Sequence, residues 1–354
     1  NVETLVGKTI CDLLHEMDFT IFNLEVHLTD VISPLQKCGP NLQALSKTIN
    51  GIKKLNPYFF TLANNHILDQ SVQGLKSTME ILNRENRNFA GAGNDLKEAS
   101  KPFVFEKNGI KIGIYCCAER EFSIATENKA GANPFDPLFS LDHIRLLKKD
   151  VDYVIVLYHG GKEHYRFPSP NLQKTCRRIV DSGADLVVCQ HSHCIGCYED
   201  WETGKIIYGQ GNFLFDDSDS EFWKTSLLIE IIFKSKNDFS IEYIPIIKVG
   251  NGIRLAENEK KVEIINGFED RSKRIIESAF IETEYSKFAQ QYINTYLRTG
   301  MPHNTSLFNR VFNKLSKGTW FERRITKEQK LALCNYLECE AHRELFLQGL
   351  KESL

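Results

Sequence analysis

The chain has 354 residues, of which 42% are hydrophobic and 25% are charged, so its composition is that of a globular protein rather than a disordered one. Its 44 Lys and Arg residues nearly balance its 46 Asp and Glu residues, which excludes a protein that binds polyanions through net charge alone. No apolar run approaches the roughly 18 residues of a membrane span. Basic and aromatic residues are not interleaved as in nucleic-acid modules, so neither a membrane span nor a nucleic-acid partner is predicted.

Short apolar runs alternate with segments of helical period over the first half of the chain. Strands are predicted over residues 19–24, 57–62, 103–105, 110–116, 153–158 and 186–189. Helices are predicted over residues 42–55, 71–84, 141–148 and 172–181. The pair Asn108-Gly109 lies between two of these strands and predicts a tight hairpin. The alternation of strands and helices predicts an α/β layered fold.

The second half of the chain has a different pattern. Three β-rich runs over residues 206–214, 226–233 and 239–249 predict a second, more antiparallel sheet. Beyond residue 266, apolar residues recur at steps that match one face of a long helix: Ile276, Phe280, Phe288, Tyr292 and Tyr296. Further helical segments are predicted near residues 331–337 and 345–350, so the chain should end in a helical extension.

Ten cysteines are spread over the chain, at positions 11, 38, 116, 117, 176, 189, 194, 197, 334 and 339. Several lie inside apolar, strand-like runs, where a free thiol packs as a small hydrophobic group. This pattern favours reduced thiols over a disulfide framework, and we therefore expect a cytoplasmic protein. Cys194 and Cys197 have the spacing of a zinc-binding or redox pair, but without a second such pair we favour simple packing.

Five polar motifs follow predicted strands, where α/β folds present functional groups on loops. They are Asn23-Leu24-Glu25, Ala63-Asn64-Asn65-His66, His159-Gly160-Gly161-Lys162-Glu163, Gln190-His191-Ser192-His193 and Gly211-Asn212-Phe213. Carboxylate, amide and imidazole groups together suit Zn, Mn or Fe ions. In an extended loop the side chains of His191 and His193 point the same way, so both are predicted to reach one metal site or two adjacent sites.

Each motif by itself also has a plain structural interpretation. A single histidine such as His66 or His159 is more often hydrogen-bonded in a core or on a surface than bound to a metal. Asn64-Asn65 and Gly211-Asn212 alone would be turns, and Glu25 alone would be a solvated carboxylate. The ordered combination of five motifs, each behind an apolar strand, is what favours a metal site.

Taken together, the motifs resemble those of the bacterial capsule and poly-γ-glutamate biosynthesis proteins, the CapA family of the calcineurin-like metallophosphatase superfamily. The resemblance is carried by Asn23-Leu24-Glu25, Asn64-Asn65-His66 with Asp69, His159 to Glu163, Gly183 to His193, and Tyr208 to Phe213. It implies a metallophosphatase-like four-layer α-β-β-α sandwich over residues 1–265. A C-terminal helical extension over residues 266–354 would follow.

The resemblance also implies a site for two divalent metal ions, Mn, Fe or Zn. Carried over to this sequence, the implied ligands are Glu25 as the bridge, Asn65, His159 and His191 on one metal, and His193 on the other. Histidine ligates only when it is neutral, so we expect metal binding to weaken in acid.

Four further residues receive roles from the same resemblance. His66 would stabilise charge or protonate the leaving oxygen, and Asp69 would hold the tautomer of His66. Glu163 and Asn212 would support the ligands without touching a metal.

One departure from the family pattern concerns its first strand, which ends in a Gly-Asp pair whose aspartate binds the metal that His193 also serves. No such strand precedes Asn1, and residues 2–17 resemble the helix that follows it. We expect truncation rather than true loss of this ligand, and we expect the chain as given to bind one metal tightly and the second poorly.

The substrate is expected to be an anionic small molecule or polymer, because cations follow the His159 motif. Lys162 and Arg166 are the predicted substrate-binding residues, with Arg120 as a third candidate, although ordinary surface charge is an equally simple interpretation. One hypothesis is a hydrolase in which metal-bound hydroxide attacks a phosphoester or related bond. The other is a non-catalytic accessory protein of capsule or polyglutamate assembly that binds an anionic polymer. The oligomeric state is left open.

Overall fold

A computed structural model describes residues 2–37, 39–215, 220–300, 311, 314–315, 325–338 and 340–352. Packing divides the chain into two compact units, Asn1–Glu282 and Thr283–Leu354. The five polar motifs all belong to the first unit. The domain boundary predicted at residue 265 stays a prediction, since by packing the first unit continues to Glu282.

The described residues form fourteen strands. They are β1 (Ile21–Asn23), β2 (Phe59–Thr61), β3 (Asn88–Ala90), β4 (Ala92–Gly93), β5 (Phe103–Lys107), β6 (Ile110–Ala118), β7 (Gly131–Ala132), β8 (Tyr153–His159), β9 (Leu186–Gln190), β10 (Tyr198–Trp201), β11 (Gly204–Ile207), β12 (Thr225–Phe233), β13 (Phe239–Val249) and β14 (Gly252–Leu255).

Helices connect and cover these strands. They are α1 (Val2–Val6), α2 (Lys8–Glu16), α3 (Ile49–Ile52), α4 (Ser71–Arg84), α5 (Leu96–Ala99), α6 (Ser140–Asp150), α7 (Pro170–Asp181), α8 (Asn258–Arg274), α9 (Phe280–Gly300), α10 (Lys327–Glu338) and α11 (Glu340–Glu352). Short 3-10 turns lie at Ser46–Thr48, Lys53–Leu55 and Glu221–Trp223. The helical C-terminal extension predicted from the apolar spacing is confirmed.

The largest sheet has six strands in the order β10-β11-β9-β8-β6-β5. Its four inner strands are parallel, and β10 and β5 run antiparallel to their neighbours at the two edges. A second sheet, β1-β2-β3, is parallel, and a third, β12-β13-β14, is antiparallel. Strands β4 and β7 form a small antiparallel pair.

Strand β8 shows why the six-stranded sheet lies at the centre of the fold. All seven of its residues are buried, and most are β-branched or aromatic, as expected of a strand covered on both faces. Val154 and Val156 face the cluster that contains Ile144 of α6 and Ile179 of α7. Alternate residues such as Ile155 face the opposite cluster, which the other two sheets complete.

The layers follow from three hydrophobic clusters. Helices α6 and α7 cover one face of the six-stranded sheet. Its other face packs against β2 through Phe59 and against β12 through Leu227. Helix α4 packs on the β1-β2-β3 side through Leu75, and α2 packs on the β12-β13-β14 side through Ile10. The predicted four-layer α-β-β-α sandwich is therefore confirmed.

Local sequence signals set several of these elements. Asn108 and Gly109 both have positive φ, 53° and 76°, which is the geometry of the predicted hairpin between β5 and β6. Helix α7 begins with Pro170, a residue preorganised for the first turn. The hydroxyl of Ser169 caps this helix by accepting a hydrogen bond from the Leu172 N–H at 3.1 Å.

Two element predictions were wrong in part. The helix predicted over residues 42–55 begins only at Ser46, because Ala44 is held in an extended bridge to Leu28. The strand predicted over residues 206–214 ends at Ile207 and pairs with β9 in the six-stranded sheet instead of joining the antiparallel one. Residues 208–215 leave the sheet and form a loop that carries Asn212. Among the described residues, no helix has the length and apolarity needed to span a bilayer.

Candidate metal centre

The polar motifs converge because the strands that precede them end at one edge of the fold. Strand β8 ends at His159 and β9 ends one residue before His191. In the other sheet, β1 ends two residues before Glu25 and β2 ends four residues before Asn65. Parallel strands present their carboxyl ends at the same edge, so side chains far apart in sequence meet there.

His159 lies at the centre of this convergence. Its Nε2 atom is 3.0 Å from Asn65 Oδ1, 3.1 Å from His191 Nδ1 and 3.3 Å from Glu25 Oε1. The His159 side chain is 2% exposed, so its contacts with these groups are shielded from bulk solvent. Four lone-pair atoms from four separate motifs therefore surround one small space. We name these four residues the His159 cluster.

The His159 cluster fits a divalent cation. One N–H on His159 Nε2 would satisfy only one of its three neighbours, and Glu25 Oε1 is buried without a hydrogen-bond donor among the described residues. Ligands on a metal with bonds of about 2.0–2.2 Å lie roughly 3 Å apart, which is the spacing found here. Two imidazole nitrogens, a carboxylate oxygen and an amide oxygen form a donor set suited to Zn, Mn or Fe.

The pKa values of the cluster also suit a cation. Burial, and next the neighbouring His191, hold the pKa of His159 well below its ordinary value. Burial lowers the pKa of His191 to about 4. Both rings are therefore neutral near pH 7, the form that ligates metals. Burial raises the pKa of Glu25, and the neighbouring His193 and His66 offset this only in part.

A second group of donor atoms adjoins the first. Atoms of Glu163, His191 and His193 lie within 4.8 Å of one another. The Nδ1 atom of His193 is 2.8 Å from Asn212 Oδ1, and its ring stacks on Trp223 at a centroid distance of 5.1 Å. The ring of His193 is therefore held from two sides, with its Nε2 left for a ligand.

The His-x-His motif does not adopt the extended backbone that the sequence predicts. His191 and His193 both have positive φ, 86° and 53°, a conformation that costs non-glycine residues of order 1–3 kcal/mol each. The turned backbone separates the two rings by 6.0 Å between centroids, and His191 belongs to both groups of donors whereas His193 belongs only to the second. Such strain persists only where the surrounding structure imposes it.

His66 lies on the turn after β2, and Asp69 holds its ring. The Nδ1–H of His66 donates to Asp69 Oδ2 at 2.7 Å, and the Leu42 N–H donates to the same oxygen at 2.6 Å. Lys37 Nζ lies 2.6 Å from Asp69 Oδ1, and both side chains are almost fully buried, at 3% and 0% exposed. Although burial alone would raise it, the hydrogen bonds from His66, Leu42 and Lys37 lower the pKa of the Asp69 carboxyl.

The three predicted substrate cations are placed differently from one another. Lys162 lies three residues after His159, and its charge helps to lower the pKa of His191. Arg166 donates to the Ile195 carbonyl at 3.0 Å and lies 3.5 Å from the Glu221 carboxylate, so its guanidinium already has partners within the chain. Arg120 forms an ion pair with Asp136. Of the three, Lys162 is the one near the metal ligands.

Sequence reasoning assigned no role to three residues that contact the site. Asn23 Nδ2 donates to Glu25 Oε2 at 3.2 Å, Glu121 Oε2 accepts from Asn65 Nδ2 at 3.4 Å, and Lys37 supports Asp69. Asn23 was part of a recognised motif, so its place at a strand end was a usable signal. Glu121 and Lys37 lie in loops without periodicity, and no local pattern distinguishes them from surface charges.

Cys194 and Cys197 are both buried, and burial raises the pKa of Cys194 to about 11 and that of Cys197 well above its ordinary value. Protonated, inaccessible thiols are poor metal ligands and poor redox centres. The eight cysteines within the described residues are free, namely Cys11, Cys116, Cys117, Cys176, Cys189, Cys194, Cys197 and Cys334.

Comparison with known proteins gives the family. The family model described as bacterial capsule synthesis protein PGA_cap matches residues 3–217. The PGA biosynthesis protein CapA of Bacillus subtilis (strain 168) is 31% identical over 210 residues, covering 58% of this chain and 55% of that protein. The capsule biosynthesis protein CapA of Bacillus anthracis is 27% identical over 219 residues, covering 60% and 53%. The chain thus spans about half the length of these curated relatives.

Among solved structures, a novel phosphatase from Mycoplasma pneumoniae is similar at a TM-score of 0.43 and 14% identity, covering 73% of this chain and 93% of that one. The family match is independent of this distant likeness. It spans more than half of the chain and includes every residue of the His159 cluster. The chain belongs to the bacterial capsule synthesis protein family PGA_cap, as its motifs predict.

Proposed function

We propose that the chain is a metal-dependent hydrolase of the metallophosphatase type, acting on a phosphoester or a related anionic substrate. The observation that carries this proposal is the meeting of Glu25, Asn65, His159 and His191 within about one metal's ligand spacing. Because the family is described as one of bacterial capsule synthesis proteins, we propose that the activity serves capsule or poly-γ-glutamate metabolism.

Two adjacent positions for divalent ions, Mn, Fe or Zn, are part of the proposal. The His159 cluster would hold one ion. Glu25 and His193 would hold the other together with Glu163, which adjoins His191 and His193 and so would be a ligand rather than the supporting residue that the sequence predicts. Divalent ions supply Lewis acidity and lower the pKa of coordinated water toward neutrality. We expect the first position to bind more tightly, because it has four protein donors, three of which lie 3.0–3.3 Å from His159 Nε2, whereas the second has fewer donors.

The protein's own contribution to the reaction would come from His66. Since His66 gives its Nδ1–H to Asp69, its Nε2 is left to act on the leaving oxygen of the substrate. The charge of Lys37 keeps Asp69 ionised, which fixes this orientation. Lys162 would attract the anionic substrate. Arg166 would instead support the site by holding the segments that carry Ile195 and Glu221.

A second candidate function is a non-catalytic accessory protein that binds an anionic polymer. It is favoured by the names of the two Bacillus relatives, which are called biosynthesis proteins. The same cluster would then bind metal and polymer without cleaving a bond.

The test is hydrolysis of p-nitrophenyl phosphate by the purified chain with added Mn²⁺. We expect His66→Ala to lower kcat by about 100-fold or more, the usual contribution of a general acid, and His191→Ala to remove activity together with metal. His15→Ala is the matched control, because His15 lies on α2 in contact with the Cys11 carbonyl, away from the cluster. Unchanged activity in both site variants would refute the hydrolase, and polymer binding that persists after chelation would favour the second candidate.

A further inference from the structure

The loop after β6 brings a carboxylate next to two residues of the His159 cluster, Asn65 and His191. Glu121 lies three residues beyond the end of β6, and its side chain is 33% exposed. Its Oε2 accepts a hydrogen bond from Asn65 Nδ2 at 3.4 Å, and its Oε1 lies 3.8 Å from His191 Nε2. One carboxylate thus faces two members of the cluster at once.

The geometry at Asn65 shows what this contact does. An asparagine amide has one end that accepts and one end that donates, and only the oxygen end ligates a cation. Asn65 turns Oδ1 toward His159 Nε2 at 3.0 Å and Nδ2 toward Glu121. A carboxylate behind the amide accepts from nitrogen and repels oxygen, so it selects the orientation that aims Oδ1 at the ion.

His191, like Asn65, turns one polar atom toward His159 and the other toward Glu121. His191 turns Nδ1 toward His159 Nε2 at 3.1 Å and Nε2 toward Glu121. A neutral imidazole carries one proton, and a carboxylate near Nε2 favours the proton there. Nδ1 is then left bare as a ligand. Histidine ligands commonly direct their second N–H to a carboxylate, and the loss of that partner weakens metal binding.

We propose that Glu121 is a positioning residue that orients Asn65 and His191 together as ligands of the metal centre. The proposal rests on the metal site of the proposed function but not on the reaction carried out there. Glu121 contacts the side of the ligands that faces away from the ion position, because it faces the ring nitrogen of His191 that points away from His159. The carboxylates within the two donor groups are Glu25 and Glu163.

The experiment measures Mn²⁺ or Zn²⁺ affinity by calorimetry on the full chain after metal removal, with no substrate present. We expect Glu121→Gln to weaken binding by about 10- to 100-fold, the usual effect of losing such a partner. Glu127→Gln is the matched control, because it makes the same charge change in an exposed residue of the same loop and should change affinity less than about threefold.

A double-mutant cycle separates positioning from simple charge. If Glu121 acts partly through Asn65, the fold-loss of metal affinity caused by Glu121→Gln should be at least threefold smaller in an Asn65→Ala background. A through-space charge effect would give the same fold-loss in both backgrounds. Ring ¹⁵N shifts should also show His191 protonated at Nε2 in the metal-free wild type and shifted toward Nδ1 in Glu121→Gln.

The outcomes also distinguish this inference from the proposed function. The role of Glu121 is overturned if Glu121→Gln binds metal as tightly as the wild type, or if its fold-loss of affinity is undiminished in the Asn65→Ala background. Either result leaves the hydrolase proposal standing. Tight metal binding by the wild type without phosphatase activity removes the hydrolase and leaves Glu121 as a positioning residue of a metal site.

Discussion

At the scale of single residues, the buried histidines give the metal-free protein a pH dependence with a defined sign. The pKa of His191 is lowered from 6.5 to about 4, chiefly by burial. Below pH 6.5 the unfolded chain takes up a proton that the folded chain refuses until about pH 4. The stability contributed by the neutral ring is therefore present above pH 6.5 and is lost as the pH falls toward 4. Glu25 acts in the opposite sense, since a raised carboxyl pKa lets the folded state take up a proton first.

We expect the metal-free chain to lose about 2 kcal/mol more free energy of unfolding between pH 7 and pH 5 than a His191→Asn variant does. Asparagine tolerates the positive φ of 86° at this position, so the variant should fold. Urea unfolding in EDTA at the two pH values measures the difference, which includes the part of the lowered His159 pKa that the His191 ring causes. Equal losses in the two proteins would show that His191 is not buried in its neutral form.

At the scale of elements, the connection between β3 and β4 requires a glycine at position 91. Gly91 lies between these strands with φ of 91°, and a Cβ atom there would lie 2.6 Å from the Cys116 Cβ and 2.7 Å from the Ala63 Cβ. These neighbours belong to β6 and to the segment that leads to Asn65. The position therefore needs glycine both for its backbone conformation and for the close approach of two layers.

We expect Gly91→Ala to lower the free energy of unfolding by roughly 3 kcal/mol, from positive φ and steric overlap together. Gly109→Ala is the control, since Gly109 also has positive φ, 76°, but has open space where its Cβ would lie. It should cost only about 1 kcal/mol. Chemical denaturation of both variants gives the comparison, and equal costs would mean that packing around Gly91 does not matter.

Sequence periodicity predicted the elements that the local apolar pattern decides. The buried run of β8, the amphipathic helices α4 and α7, and the Asn108-Gly109 hairpin all follow from local patterns. The errors fall where non-local contacts override them. Ala44 is apolar in a helical pattern, yet its bridge to Leu28 keeps it extended, and a single-sequence reading has no access to that partner.

At the scale of the whole molecule, the metal ligands were predictable because each follows a strand, and parallel topology brings strand ends together. The residues that orient the ligands were not. Glu121 and Lys37 reach the site through loops, and their roles depend on contacts with residues 56 and 32 positions away along the chain. Sequence therefore identifies the groups that touch an ion better than the groups that hold them in place.

The metal site and the core that supports it need only part of the chain. The residues of the three hydrophobic clusters, like those of the His159 cluster, all lie before Thr283. Helix α8 contributes Phe268, which is fully buried against the rings of Tyr198 on β10 and Tyr243 on β13. It also contributes Ser272, whose hydroxyl accepts a hydrogen bond from the Tyr198 N–H at 2.8 Å. The first unit thus carries its own core and its own site, and α8 belongs to that core.

We therefore expect a chain that ends at Glu282 to unfold cooperatively and to bind Mn²⁺ within about twofold of the full chain. A chain that ends at residue 265 is the matched control. It loses Phe268, and truncation of a buried aromatic residue costs about 3–5 kcal/mol, so this chain should melt far lower or fail to fold. Thermal unfolding and calorimetry on the three lengths decide the matter. If the chain ending at 265 is as stable as the one ending at 282, the core does not need the second half of α8 and closes at the boundary that the sequence predicts.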